Sequence, residues 1–148
     1  MRSFSVEDDG PRAVVALGTT GLLDTSVVID WQDPTILGAL PDTFAISVIT
    51  SAELAAGPLL APTAPEAARR QARLQEVESR LAPLPFDAAA ARSYGLVVAA
   101  VIAHGWRPRS RLADLLLAAT AHANGLDLYT RNGEDFRGLD DLVRVVAI

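Results

Sequence analysis

An α/β fold with a parallel sheet covered by helices on both faces is what this sequence predicts, and three features predict it. Short unbroken apolar runs recur along the chain, and such runs suit strands buried on both sides. Between them lie longer segments with apolar residues at three- and four-residue spacing and capping residues at their starts, which suit helices. The strand-then-helix order repeats, and that order joins parallel neighbours through helical crossovers.

Residues 1–20 combine acids with Gly10, Pro11 and Gly18 around a short apolar patch at 13–17, and read as an N-terminal extension or an extra edge strand ahead of a domain spanning 21–148. The run 21–24, Gly-Leu-Leu-Asp, suits a buried strand whose closing acid emerges at the carboxyl edge of the sheet. Thr25 and Ser26 then open a helix through Val27, Val28 and Trp31. The run 44–49 predicts a second strand, followed by a helix that opens at Thr50 and carries Glu53 in its first turn. Residues 63–81 predict a long helix: Pro65 fits its first turn, Leu74, Val77 and Leu81 share one face, and Arg69, Arg70, Arg73 and Glu76 share the other. After a short extended stretch at 84–86, Asp87 caps a helix over 88–103 that Gly105 and Pro108 end. Ser110 caps the next helix, 111–123, with Gly125 just past its end. Residues 126–129 form a strand, 130–133 a turn, and 142–148 a last apolar, β-branched strand.

Composition bounds what such a fold can do. A chain of 148 residues has the size of one domain and on folding buries roughly 70% of its unfolded surface. Half the residues are hydrophobic but only 5% are aromatic, so the core is built from Ala, Leu and Val. The absence of cysteine excludes disulfide frameworks, thiolate nucleophiles and cysteine-bound zinc, and suits a reducing cytoplasm. The opening MRSFSVEDDGPR places acids where a secretion signal needs bases. No apolar run approaches the ~20 residues of a membrane span, so a soluble cytoplasmic protein is expected. A net charge of −5 argues against a broad surface that coats nucleic acid, but not against a site where metal ions supply the positive charge. All 13 basic residues are arginine, which fits either a GC-rich coding bias or bidentate phosphate binding.

In open parallel sheets ligands bind beyond the carboxyl ends of the strands, and three acids fall there: Asp24, Glu53 and Asp114. Each also has a structural reading. Asp24 can cap a helix, Glu53 can complete a capping box with Thr50, and Asp114 can be a first-turn acid favoured by the helix dipole. Rival chemistries lack their parts. There is no glycine-rich phosphate loop ending in Gly-Lys and no dinucleotide fingerprint. Phosphotransfer domains and haloacid-type phosphatases need a lysine, and the chain has none. His104 and His122 have no partner at zinc-motif spacing, and no serine sits in a nucleophile elbow. What remains is a set of hard oxygen ligands, which select Mg²⁺ or Mn²⁺.

Four segments carry a more specific signal: GLLDTSVVID (21–30), AISVITSAELAAG (45–57), LPFDAAAARSYG (84–95) and RLADLLLAATAHANGLDLYTRNGEDF (111–136). In order and spacing they resemble PIN domains of the VapC type across nearly the whole chain after residue 20. That resemblance implies an α/β/α sandwich that forms homodimers, cleaves single-stranded or looped RNA with a divalent metal, and is held inactive by a VapB-type antitoxin. It also implies roles: Asp24 and Asp114 as metal ligands, and Glu53 as holder of a second metal or of the attacking water. Asp87, though matched, is read as a cap.

The fourth acid departs from the commonest pattern. Asn132 stands two residues past the strand-ending Thr130, where an acid is usual, and Asp135 follows three residues later. If Asn132 caps a short turn anchored by Phe136, Asp135 occupies its N3 position, either completing the cap or facing the metals, with Asn132 then placing water or phosphate. Carboxylates so clustered resist simultaneous ionisation without a cation. Arg107, Arg109 and Arg111 either grip flanking phosphates or belong to a solvated loop, and the alanines at 118, 119, 121 and 123 fit a dimer interface or the core equally. Two other functions use the same pattern: a PIN nuclease of RNA maturation that works without an antitoxin, and an acid-lined binding module that has lost catalysis.

Overall fold

The computed structural model describes residues 20–148. The strands β1 (Gly21–Leu23), β2 (Phe44–Ala45), β3 (Asp127–Thr130) and β4 (Val145–Ala147) form a parallel sheet in the order β2-β1-β3-β4. The helices are α1 (Thr25–Val28), α2 (Pro34–Ala39), α3 (Val48–Ala56), α4 (Ala64–Arg80), α5 (Ala88–Ala103) and α6 (Leu112–Asn124). They cover both faces. Leu22 and Leu128 pack with Val97 and Val101 of α5 and Leu115 and Ala118 of α6. Leu23, pointing the other way, packs with Val27, Trp31, Leu54 of α3, and Leu74 and Val77 of α4. The sheet is thus the middle layer of an α/β/α sandwich, as the sequence predicts.

Chain direction places the functional edge. From β1 the chain moves outward to β2, and from β3 it moves the opposite way to β4, so the loops after β1 and β3 diverge around a crevice at their carboxyl ends. β1 sits tightly between its neighbours. A Cβ on Gly21 would stand 2.7 Å from Pro41 Cγ and 2.9 Å from Tyr129 Cε2, so only glycine fits there. At the end of α6, Gly125 adopts φ 63°, the left-handed stop predicted for it. Ala118, Ala119 and Ala121 are fully buried and belong to the core, while Ala123, the last of the small-residue stripe of α6, is only partly buried.

Several predicted boundaries move. The second strand ends at Ala45, because Ser47 leaves the ladder to cap α3, its Oγ accepting from Thr50 N–H at 3.2 Å. The last strand pairs only over Val145–Ala147; ahead of it Leu139 and Val143 turn inward as core residues. Ser110 does not cap α6: it lies in a 3₁₀ turn (Pro108–Arg111), its hydroxyl donating back to Arg107 O, and Arg111 takes the cap position. α2 was not anticipated, although Asp33 caps it through Thr35 N–H and Pro34 opens it. Asp87 caps α5 through Ala90 N–H as predicted. The extension predicted over 1–20 lies outside the described residues except for Thr20, whose carbonyl accepts from Asp127 N–H. Among the described residues no helix is long and apolar enough to cross a membrane.

Candidate functional site

The crevice is built from β1 outward. The register pairs Leu23 with Tyr129, so Asp24 and Thr130 face each other one step further along. Asp24 N–H still donates to Tyr129 O at 2.9 Å, which fixes its backbone. It holds the cap position of α1, yet its side chain accepts from no helix N–H. Instead Ser26 Oγ and Thr130 Oγ1 each donate to Asp24 Oδ2 at 2.8 Å. The structural reading of Asp24 as a helix cap therefore fails. Its carboxylate, only 7% exposed, is held by two hydroxyls from opposite ends of the chain. Both act on one oxygen, and Oδ1 takes no hydrogen bond from a described residue.

Glu53 lies midway along α3, not in its first turn, so the capping box predicted with Thr50 is replaced by the Ser47 cap. Its Oε1 accepts from Thr25 Oγ1 at 2.8 Å, and that hydroxyl lies 3.2 Å from Thr50 Oγ1. The residue directly after Asp24 thus holds Glu53 toward β1.

Asp135 sits in a 3₁₀ turn (Gly133–Phe136) anchored by Phe136, which is buried. Asn132 occupies the cap position of that turn, but its exposed side chain makes no capping bond, and its N–H donates to Thr130 Oγ1 rather than to Asp135. The carboxylate of Asp135 is therefore not engaged in a cap with Asn132. Arg111 ties the turn to the start of α6, donating to Asp135 O at 3.0 Å and Glu134 O at 3.3 Å, with its guanidinium 4.2 Å from the centre of the Trp106 ring. Arg111 therefore has a structural part that neither reading of the sequence gave it. Arg107 and Arg109 remain exposed.

Asp114, in the first turn of α6, joins these carboxylates electrostatically. Its carboxyl is pushed up from 3.8 to about 6: burial contributes most, then the charges of Asp24, Asp135 and Glu53 in that order, against a smaller lowering by Arg111. A helix dipole alone would lower it, so repulsion and burial dominate. Asp135 presses on Asp114 harder than Glu53 does. The structure thus brings Asp24, Glu53, Asp114 and Asp135 together, and places Asn132 at the rim by its backbone.

The donor set suits a hard divalent cation. Among the described residues no three acidic or imidazole groups converge closely enough to hold an ion alone. A cation here would rest on one or two carboxylates and be completed by water and phosphate oxygens, the habit of Mg²⁺. The histidines stand apart: His122 Nδ1 pairs with Ser93 Oγ at 2.8 Å between α5 and α6, and His104 Nδ1 contacts Ala100 O at 2.9 Å. The hydroxyls of Ser26, Thr25 and Thr130 were not read as site residues from the sequence; their signal was the Thr-Ser directly after Asp24 and the threonine ending β3.

A stability prediction follows from Asp114. Its folded value is above the 3.8 of the free carboxyl, so the unfolded chain releases its proton first and the group's contribution is present below about 4 and lost as pH rises through about 6. In chelator at pH 7.5, Asp114→Asn is expected to stabilise the protein by about 1 kcal/mol, discounted for solvent screening of a part-exposed group, or about 2–4 °C in melting temperature. The gain should shrink at pH 4. An equal gain at both pH values would show that charge is not its source.

Comparison with known proteins agrees with this fold. The family model described as PIN domain matches residues 21–142. Ribonuclease VapC5 of Mycobacterium tuberculosis is 36% identical over 130 residues, covering 86% of this chain and 93% of that protein. Ribonuclease VapC4 of the same organism is 34% identical over 132 residues, covering 86% and 95%. Among solved structures, a member of the VapBC family of toxin–antitoxin systems, VapBC-5 of Mycobacterium tuberculosis, superposes with a TM-score of 0.73 at 36% identity, covering 88% of this chain and 98% of that one.

Proposed function

The chain belongs to the PIN-domain family, and from that premise we propose that it is a divalent-metal-dependent endoribonuclease acting in the cytoplasm as the toxin of a toxin–antitoxin pair. The observation that carries this reading is the gathering of carboxylates at one sheet edge: Asp24 held there by Ser26 and Thr130, Glu53 turned toward it by Thr25, and Asp114 under the charges of Asp24, Asp135 and Glu53. Two similar proteins are named ribonucleases, and a similar structure is named for a toxin–antitoxin family. Residues 21–148 are taken as the nuclease domain and 1–20 as its extension.

Asp24 and Asp114 would hold Mg²⁺ or Mn²⁺, with Glu53 and Asp135 beside them. Bound there, such an ion supplies an acidified water and neutralises charge accumulating on the scissile phosphate. The chain's own residues do the positioning. Ser26 and Thr130 fix the Asp24 carboxylate, Thr25 fixes Glu53, and Arg111 with Phe136 fixes the turn that presents Asp135. Asn132, uncharged and exposed, would meet a phosphate or water at the rim. We read the assembly as a homodimer bound by a VapB-type antitoxin; exposed Leu96 and Ile102 on α5, with Leu112 on α6, offer apolar surface to a second copy.

Purified protein should cut single-stranded RNA with Mg²⁺ or Mn²⁺ and stop in chelator; RNA left whole at every metal concentration would refute the reading. Asp135→Asn should slow metal-dependent turnover by about tenfold, on the order of 1.4 kcal/mol of barrier, with little loss of stability. Full activity at limiting Mg²⁺ would reduce Asp135 to a structural part of its turn and return the fourth role to Asn132.

A further inference from the structure

Beside the carboxylates lies a cleft of about 320 Å³ whose lining includes Thr25 and Glu53 from the site, Asp30 and Glu66, and the arginines Arg70 and Arg73 of α4. A second cleft, of about 280 Å³, lies against α4 and is lined by Gln32, Arg69, Glu76 and again Arg73. Arg73 therefore stands where the two meet.

The other charges of these clefts are already matched. Glu66 pairs with Arg69 at 2.6 Å and with Arg70 at 3.1 Å, and Arg70 also donates to Gly57 O at 2.9 Å. Glu76 pairs with Arg80 at 3.2 Å and accepts from Gln32 Nε2 at 2.7 Å. Asp30 pairs with Arg131, and Glu53 is held by Thr25. Arg73 alone among the charged groups lining these clefts makes no ion pair or hydrogen bond with a described residue. It is also partly buried, and a guanidinium taken partly out of water without a counterion is costly. The site it borders is strongly negative, so a polyanionic strand reaching Glu53 and Asp24 needs a cation outside the metal centre to offset that repulsion.

We propose that Arg73 is a phosphate-binding residue for the RNA strand, gripping a phosphate next to the cleavage point as the strand passes from the carboxylate cleft along α4. This rests on the ribonuclease reading above. A guanidinium presents paired N–H donors that match two phosphate oxygens, so the contact is charged and bidentate. It is made equally in the ground state and in the transition state, and removing it should act on binding, not on the chemical step.

The test compares wild type with Arg73→Gln and, as a control, Arg144→Gln, whose arginine pairs with Asp127 away from both clefts. A short single-stranded RNA oligonucleotide labelled at one end serves as substrate across a salt series, with thermal melts of each variant. Arg73→Gln is expected to raise KM about tenfold with kcat unchanged and melting temperature not lowered, while Arg144→Gln leaves KM unchanged. The dependence of log KM on log salt should become shallower by about 0.7, one single-strand phosphate contact. An unaltered KM and salt slope in a variant that still cuts would overturn the Arg73 role and leave the ribonuclease reading intact. Weakened binding of the co-expressed inhibitor with unaltered RNA cleavage would overturn it too, assigning the cleft to that protein. Failure of wild type to bind or cut RNA would refute both.

Discussion

Asp24→Asn and Asp114→Asn should each reduce RNA cleavage by at least about a thousandfold, some 4 kcal/mol of barrier, while the fold survives. Asparagine keeps the shape of aspartate and still offers one carbonyl oxygen. At position 24 that oxygen can go on accepting from Ser26 Oγ and Thr130 Oγ1, so the join between β1 and β3 persists. At position 114 a neutral side chain relieves repulsion from Asp24, Asp135 and Glu53, so the metal-free protein should gain stability. What both variants lose is the anionic oxygen that would hold a cation. Single-turnover cleavage at saturating Mg²⁺ or Mn²⁺, with thermal melts alongside, separates the two effects. Normal cleavage by either variant would remove that residue from the metal centre.

The parts of this site that were legible in the sequence are those set by local pattern. The run at 21–24 could be placed as a buried strand ending in an acid because its apolar residues are unbroken, and the helix that begins at Leu112 could be placed because Gly125 stops it and Asp114 opens it. Val48 and Ile49 misled for a physical reason: β-branched residues favour strands, but Ser47 caps them into the first turn of α3. Thr130 was invisible as a support, because its bond to Asp24 depends on the β1–β3 register that joins residues 106 positions apart; Ser26 lies only two residues from Asp24 and was passed over because it reads equally well as the opening of a helix. The structural role of Arg111 was not legible, since nothing local reveals that its guanidinium lies over Trp106 and holds the carbonyls of Glu134 and Asp135. Asp135 fell between the two cases: the turn and the Phe136 anchor were legible, but its pressure on Asp114 required the fold.

An inhibitor that silences such a site can do so by bringing a positive charge to its carboxylates. Asp114 is raised first by its burial and then by the charges of Asp24, Asp135 and Glu53, and an arginine from the antitoxin, inserted among Asp24, Glu53 and Asp114, would offset those charges as a metal would. Replacing that arginine with alanine should weaken the complex by about a hundredfold or more, within the roughly 2–5 kcal/mol that loss of one partner of a buried charge pair costs. Removing the charge from the other side should do the same, so the Asp24→Asn, Asp114→Asn double variant should also bind the inhibitor far more weakly than wild type. The pH dependence has a definite sign. Arginine binds the ionised form of Asp114, which becomes protonated as pH falls through about 6, so affinity should be higher at pH 7.5 than at pH 5 and this difference should vanish in Asp114→Asn. Titration calorimetry at both pH values of wild type, Asp114→Asn and the double variant with the inhibitor, and of wild type with the inhibitor whose arginine is replaced by alanine, measures these effects. Equal affinity of the double variant, with no pH dependence in wild type, would mean that the inhibitor does not act through these carboxylates.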